Sequence, residues 1–278
     1  MDNRFNDDEW RNWPHGLDGD QDPERLLDDH ELADYGVDPP PDLFLDIPFV
    51  PTEDRVIRAM LDLAAVDGDD IVYDLGCGDG RIVVAAAMQR GARAVGIDLD
   101  PMRIAEAMEY AGNSRVEHMV DFREGNLLEA DFSDATVVCL YLLDSVNLEL
   151  RPRLQQELRP GTRIVSHAFG MGDWTPDAHV KCGNANIYMW IVPAQVAGSW
   201  EWHDEQGHLH ELELEQDHQM LKGRIRVDGR EARSFEARLE GDRLELEFQL
   251  PGSTTASVLR ARHDGDELVF LQEPAGAS

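Results

Sequence analysis

Tyr73-Asp74-Leu75-Gly76-Cys77-Gly78-Asp79-Gly80-Arg81 is the stretch on which the fold turns. It stands where a β-branched run, Ile71 to Leu75, gives way to an apolar helical sequence running from about Gly80 to Arg90. Glycines at such a junction let the backbone turn tightly and leave space for a ligand to lie against it. A dinucleotide fingerprint needs G-x-G-x-x-G, and Arg81 occupies the place of the third glycine, which disfavours a nicotinamide enzyme. The spacing present is G-x-G-x-G with an acid, Asp74, two residues ahead. A second acid, Asp98, closes the next strand, Ala94 to Asp98, 24 residues further on, as one βαβ step requires.

Outward from this centre, strands and helices alternate. Thr52 is placed to cap a helix whose apolar positions Val56, Ile57, Met60, Leu61 and Ala64 recur at helical spacing. Pro101 opens a further helix, and strands are expected at Val120 to Glu124, Thr136 to Tyr141 and Arg163 to His167, with a helix from about Val146 to Leu158. Such alternation predicts a mostly parallel, doubly wound α/β sheet. Its ending differs: His179 to Cys182, the turn Gly183-Asn184, and Asn186 to Val192 read as an antiparallel hairpin. Beyond Pro193 the period becomes two, with runs at His208 to Glu215, Met220 to Val227, Ser234 to Leu239, Arg243 to Leu250, Ser257 to Arg262 and Glu267 to Leu271. Three regions follow: an acidic arm over 1–46, an α/β domain over 47–193, and an all-β antiparallel module over 198–278, expected as a small barrel or curled sheet. The arm carries fifteen acids against Arg4, Arg11 and Arg25; Pro23 to Tyr35 is its one helical candidate, and Trp10 and Trp13 offer docking groups.

The glycine stretch closely resembles the first motif of the class I S-adenosylmethionine methyltransferases. In that family the loop matching Gly76, Gly78 and Gly80 cradles the amino-acid end of the cofactor, and the acid matching Asp74 helps hold its ammonium. The resemblance implies that Asp98 accepts the ribose hydroxyls, that Leu99, Asn126 and Leu127 border the adenine, and that Thr52 and Tyr141 also approach the cofactor. The family often has an acid where Asn126 stands; its amide oxygen is still an acceptor. A narrower resemblance rests on Pro48-Phe49-Val50-Pro51-Thr52, Leu140-Tyr141-Leu142-Leu143 and Gly161-Thr162-Arg163-Ile164-Val165-Ser166-His167. These motifs are similar to the lysine methyltransferases of the ATP synthase c-subunit and the adenine nucleotide translocase, and to their bacterial relatives. Asp144 replaces the proline that often follows the Tyr-Leu-Leu motif there.

Methyl transfer from a sulfonium is an in-line displacement, so alignment and exclusion of water are the main tasks. Tyr141 and Asn147 are the acceptor-site candidates, with His167 and Trp174 as candidate lining; for His167 a strand-end histidine bonded to backbone is the competing reading. The Val50 to Thr52 loop is a candidate cover for the cofactor. The favoured acceptor is a protein lysine amine; a small metabolite, or a cofactor-binding scaffold without turnover, are the alternatives. No Asn/Asp-Pro-Pro-Tyr motif is present, which counts against adenine or glutamine amide as acceptor. S-adenosylmethionine, yielding S-adenosylhomocysteine, is the one cofactor expected, and no metal: His203, His208 and His210 lie close in sequence, but alternation puts only His208 and His210 on one face.

Charge bounds the rest. The 278 residues carry 25 Lys+Arg against 56 Asp+Glu, a net charge of −31, and only two of the cations, Lys181 and Lys222, are lysines. This balance resembles that of salt-adapted proteomes and repels phosphate backbones, so nucleic acid is not expected as a partner. Three cysteines, Cys77, Cys139 and Cys182, are too few for a disulfide framework. With no apolar run near the ~18 residues of a membrane span and an acidic start in place of a signal peptide, the expected location is the cytoplasm.

Overall fold

The computed structural model describes residues 50–232, 235–253, 255–265 and 267–271. The acidic arm, with Trp10, Trp13 and the Pro23 to Tyr35 candidate helix, lies outside the described residues. A seven-stranded sheet comprises β1 (Ile71–Leu75), β2 (Arg93–Asp98), β3 (Val120–Glu124), β4 (Val137–Leu140), β5 (Arg163–His167), β6 (Ala178–Cys182) and β7 (Ala185–Ile191). Its order is β3-β2-β1-β4-β5-β7-β6, with β1 to β5 parallel and β7 antiparallel to both neighbours. The chain reverses direction of growth between β1 and β4, the switch point at which open α/β sheets bind ligands.

Two cores cover the two faces, and strand alternation divides residues between them. Val72, Cys139 and Val165 join α1 (Asp54–Leu63), α2 (Arg81–Arg90) and α3 (Pro101–Asn113) on one side. Tyr73, Leu75, Val138, Leu140 and Ile164 join α4 (Asp144–Glu157) on the other. The helical spacing of Val56, Ile57, Met60 and Leu61 buries one face of α1, each side chain contributing roughly 1.5–3 kcal/mol. In α3 the Asp100 carboxylate caps the Met102 N–H at 2.8 Å and Pro101 opens the first turn.

A second sheet contains β8 (Gly198–His203), β9 (Leu209–Asp217), β10 (Met220–Val227), β11 (Arg230–Glu231), β12 (Phe235–Glu240), β13 (Arg243–Phe248), β14 (Ser257–Asp264) and β15 (Glu267–Leu271). All are antiparallel in the order β15-β14-β13-β12-β10-β9-β8, with β11 beside β10. Alternate residues such as Leu212, Leu214, Leu221, Ile225, Leu244 and Leu246 fill its own core. The sheet curls until its edge strands meet through side chains: Trp202 of β8 stacks on Phe270 of β15 with centroids 3.6 Å apart.

Several sequence expectations need correction. Thr52 does not cap α1: the capping position falls at Glu53, without a side-chain cap bond, and Thr52 turns inward, 3% exposed. The fourth strand is Val137–Leu140, shorter at each end than Thr136 to Tyr141; Thr136 still bonds Ile71 and Arg163 through its backbone, and its hydroxyl donates to the Asp70 carboxylate at 2.7 Å. α4 begins at Asp144 rather than Val146. β8 escaped the reading, since its alternation Gly-Ser-Trp-Glu-Trp-His buries no residue fully. His208 and His210 are taken up by aspartates, Asp228 at 2.6 Å and Asp204 at 3.1 Å. Among the described residues no group of side chains is arranged to hold a metal, and no helix is long and apolar enough to cross a membrane.

Candidate active site

The carboxyl ends of the parallel, adjacent strands β2, β1, β4 and β5 lie along one edge of the sheet. After β1 the backbone runs through Gly76, Gly78 and Gly80 at φ +82°, +52° and +76°, a region costly to side-chain-bearing residues. A Cβ at Gly80 would lie 2.7 Å from both the Ala107 Cβ and the Phe122 ring, and one at Gly96 would lie 2.8 Å from the Cys77 sulfur and that same ring. Phe122 of β3 thus fixes how closely the loop lies on the sheet. Asp98 anchors the loop from β2: one carboxylate oxygen accepts the Gly78 N–H at 2.8 Å, the other the Asp100 N–H at 3.0 Å.

Asp74 is 2% exposed. Burial, aided by repulsion from Asp98 and Asp79, pushes its carboxyl well above the usual carboxylate range. Three carboxylates gathered around a glycine loop would repel a phosphate and suit a cation. Asn126 uses its side-chain oxygen to accept the Leu128 N–H at 3.0 Å, closing the turn after β3, and Leu99 after β2 is 43% exposed, an apolar surface open to a flat ligand. Leu127 is half-buried against the core that also holds Leu142.

The mouth beside this loop is built from residues far apart in sequence. Tyr141, just beyond β4, stacks on His167 with centroids 3.9 Å apart at 27°, and Phe169 lies 6.1 Å from Tyr141. The His167 Nδ1 lies 3.3 Å from the Thr52 hydroxyl, so its partner is a side chain 115 residues away rather than backbone. Burial lowers the His167 pKa to about 4 despite the nearby Glu53 carboxylate, and burial raises that of Tyr141. At neutral pH the imidazole is uncharged and the phenol keeps its proton. Thr52 also links to the glycine loop: its carbonyl accepts from Arg81 Nη1 at 3.0 Å, and the Arg81 guanidinium forks onto Asp79 at 2.9 and 2.6 Å. The residue that broke the dinucleotide pattern therefore ties the segment before α1 to the loop.

Two candidates sit elsewhere. Asn147 has no exposed surface; its amide donates to the Gly170 carbonyl at 3.1 Å, and its Oδ1 has no partner. Through that bond it secures the loop after β5. Trp174 is 1% exposed and lies in the core with Trp190, its indole N–H donating to Gln219 Oε1 at 2.9 Å; it does not line the mouth. Phe169, Arg81 and the Thr52–His167 pair escaped the sequence reading. Only Arg81 left a signal there, as the charged residue in a glycine's place. Asp144, noted as a departure, accepts the Gly170 N–H at 2.8 Å and so orders the loop behind the mouth.

Residues 74–178 match the family model described as the ANTKMT methyltransferase domain. A protein-lysine N-methyltransferase of Saccharolobus islandicus is 44% identical over 151 residues, covering 52% of this chain and 94% of that protein. The mouse adenine nucleotide translocase lysine N-methyltransferase is 34% identical over 151 residues, 54% of this chain and 65% of its own length. A crystal structure described as an RNA methyltransferase from Salinibacter ruber, in complex with S-adenosylhomocysteine, is 51% identical with a TM-score of 0.52, covering 53% of this chain and 96% of that one.

Proposed function

Because the chain belongs to the ANTKMT-type family of S-adenosylmethionine-dependent methyltransferases, we propose that its acceptor is the side-chain amine of a lysine in a protein substrate. The observation that carries this reading is the mouth: Tyr141, His167 and Phe169 give an uncharged aromatic entrance beside a loop ringed with carboxylates. The likeness to a protein-lysine N-methyltransferase over nearly its whole length supports the same choice.

The residues fit the cofactor. Asp74 would face its ammonium and Asp98 its ribose hydroxyls, while Leu99, Asn126 and Leu127 border the place for adenine. The cofactor supplies an electrophilic methyl group on a positively charged sulfur. The protein has to present an uncharged amine in line with it and keep water away. Lysine normally holds its proton at neutral pH, and an apolar aromatic entrance disfavours the ammonium form. With its pKa near 4, His167 is a poor proton acceptor at neutral pH; it serves to hold the Tyr141 ring. The amine's proton leaves to solvent before transfer.

The net charge of −31 opposes approach of a polyanion, which favours lysine over the RNA named for the Salinibacter relative. The test is transfer of labelled methyl from S-adenosylmethionine to a lysine-peptide array and to total RNA in parallel. Label on lysine, reduced at least about tenfold by Tyr141→Ala, is expected. Label confined to RNA, or retained in full by the variant, would overturn the reading.

A further inference from the structure

The loop from Ala168 to Thr175 carries the most strained backbone at the mouth. The Phe169 N–H donates to the His167 carbonyl at 2.9 Å across Ala168, which sits at φ +68°. This is the pattern of a γ-turn with a positive central φ, a rare and strained form. Strain of this kind, of order 1–3 kcal/mol, persists only where the surroundings over-determine it. On the α/β side they do: the Ser166 hydroxyl donates to the Phe169 carbonyl at 2.8 Å, Asp144 and Asn147 hold the two backbone groups of Gly170, and Arg151 donates to the Met171 carbonyl at 2.8 Å.

The other end of the loop is held by the all-β module, which lies wholly beyond the matched segment 74–178. Its β9–β10 turn presents Gln219, 1% exposed, with both ends of the amide engaged. Its Oε1 accepts the Trp174 indole N–H at 2.9 Å and its Nε2 donates to the Thr175 carbonyl at 2.7 Å. Beside it His218, itself at φ +52°, stacks on Trp174 with centroids 5.5 Å apart and pairs with Gln155 of α4 at 2.7 Å. A buried amide engaged at both its oxygen and its nitrogen is costly to disturb on either side, because each bond lost leaves a buried polar group unpaired. The module also abuts the α/β sheet at backbone distance: Ala194 N–H donates to the Gly241 carbonyl at 2.8 Å, and a Cβ on Gly241 would lie 2.9 Å from the Gly161 Cα.

We infer that the all-β module is the abutment of the acceptor mouth, with Gln219 and His218 as positioning residues that hold the 168–175 loop and so fix Phe169 against Tyr141. The inference rests on the methyltransferase reading for its consequence, but its physical content is tested without turnover. Amide hydrogen exchange on the full chain would compare wild type with Gln219→Leu, which keeps volume and removes both bonds, and with Trp174→Phe, which removes one bond from the loop side. The exposed pair-breaking Arg224→Ala serves as control. S-adenosylhomocysteine affinity and initial rates on a lysine peptide selected from the array would be measured in the same preparations. Exchange within 168–175 is expected to quicken about tenfold, equivalent to one hydrogen bond, while S-adenosylhomocysteine affinity stays within about twofold and the acceptor KM rises with cofactor KM unchanged. If Gln219→Leu does not fold, Trp174→Phe carries the same expectation. Unchanged exchange in folded variants, or a parallel fall in cofactor affinity, would overturn the inference. Wild-type protein that fails to bind S-adenosylhomocysteine would instead contradict the methyltransferase assignment.

Discussion

Asp74 and His167 show how the same burial acts in opposite directions on an acid and a base. Both are desolvated, so each favours its neutral form: the Asp74 carboxyl is pushed up and the His167 imidazole down to about 4. For Asp74 the sign is informative. A carboxyl whose folded pKa is raised stabilises the fold at low pH and loses that contribution as pH climbs from the ordinary carboxylate range through the raised value. At neutral pH the free protein therefore carries Asp74 at a cost, which a cationic ligand removes. Asp74→Asn should raise Tm of the free protein, by roughly 2–4 °C for each kcal/mol recovered, while weakening S-adenosylmethionine binding at least about tenfold. Calorimetry and thermal melting on the two proteins check both halves. A variant that melts lower, or binds as wild type does, would contradict the account of Asp74.

At the level of elements, the βαβ unit around the glycine loop was legible because its information is local. The turn, the acid before it and the acid 24 residues later are set by strand length and backbone sterics. The mouth was legible only as separate residues. Tyr141 and His167 were identified, but nothing along the chain pairs Thr52 with His167, sets Ala168 at positive φ, or turns Asn147 and Trp174 into the core. Those placements follow from how β4, β5, α4 and the loop after β5 pack. Ala168 gives a test of the strain: Ala168→Gly removes the Cβ penalty at φ +68°, so stability should rise or hold, within about 1 kcal/mol. Methyl transfer should fall as the loop gains freedom. A loss of stability on urea unfolding would show that Ala168 is not strained.

For the molecule as a whole, two sheets with separate cores meet at the 168–175 loop, where Gln219 bonds Trp174 and Thr175. The alternation of period two revealed the second sheet, whereas its contact through Gln219 left no pattern, because a lone glutamine at a turn reads as solvent-exposed. The charge of −31 comes from the excess of acids over cations; ion pairs at the surface of the second sheet, such as Arg224–Glu213 across β10 and β9 and Arg262–Asp242, contribute little individually.

S-adenosylmethionine is proposed to bind at the carboxyl ends of β1 and β2, against Asp74, Asp98 and the glycine loop that Asp98 braces. Calorimetric titration of the purified chain with S-adenosylmethionine and S-adenosylhomocysteine, at moderate and high salt and beside Asp98→Ala, tests it most directly. Asp98 braces Gly78 and in the proposed site would accept the ribose hydroxyls, so both ligands are expected to bind wild type and to bind the variant at least about tenfold more weakly, ~1.4 kcal/mol. Absence of binding by a folded wild-type chain at either salt, or equal binding by Asp98→Ala, would contradict it.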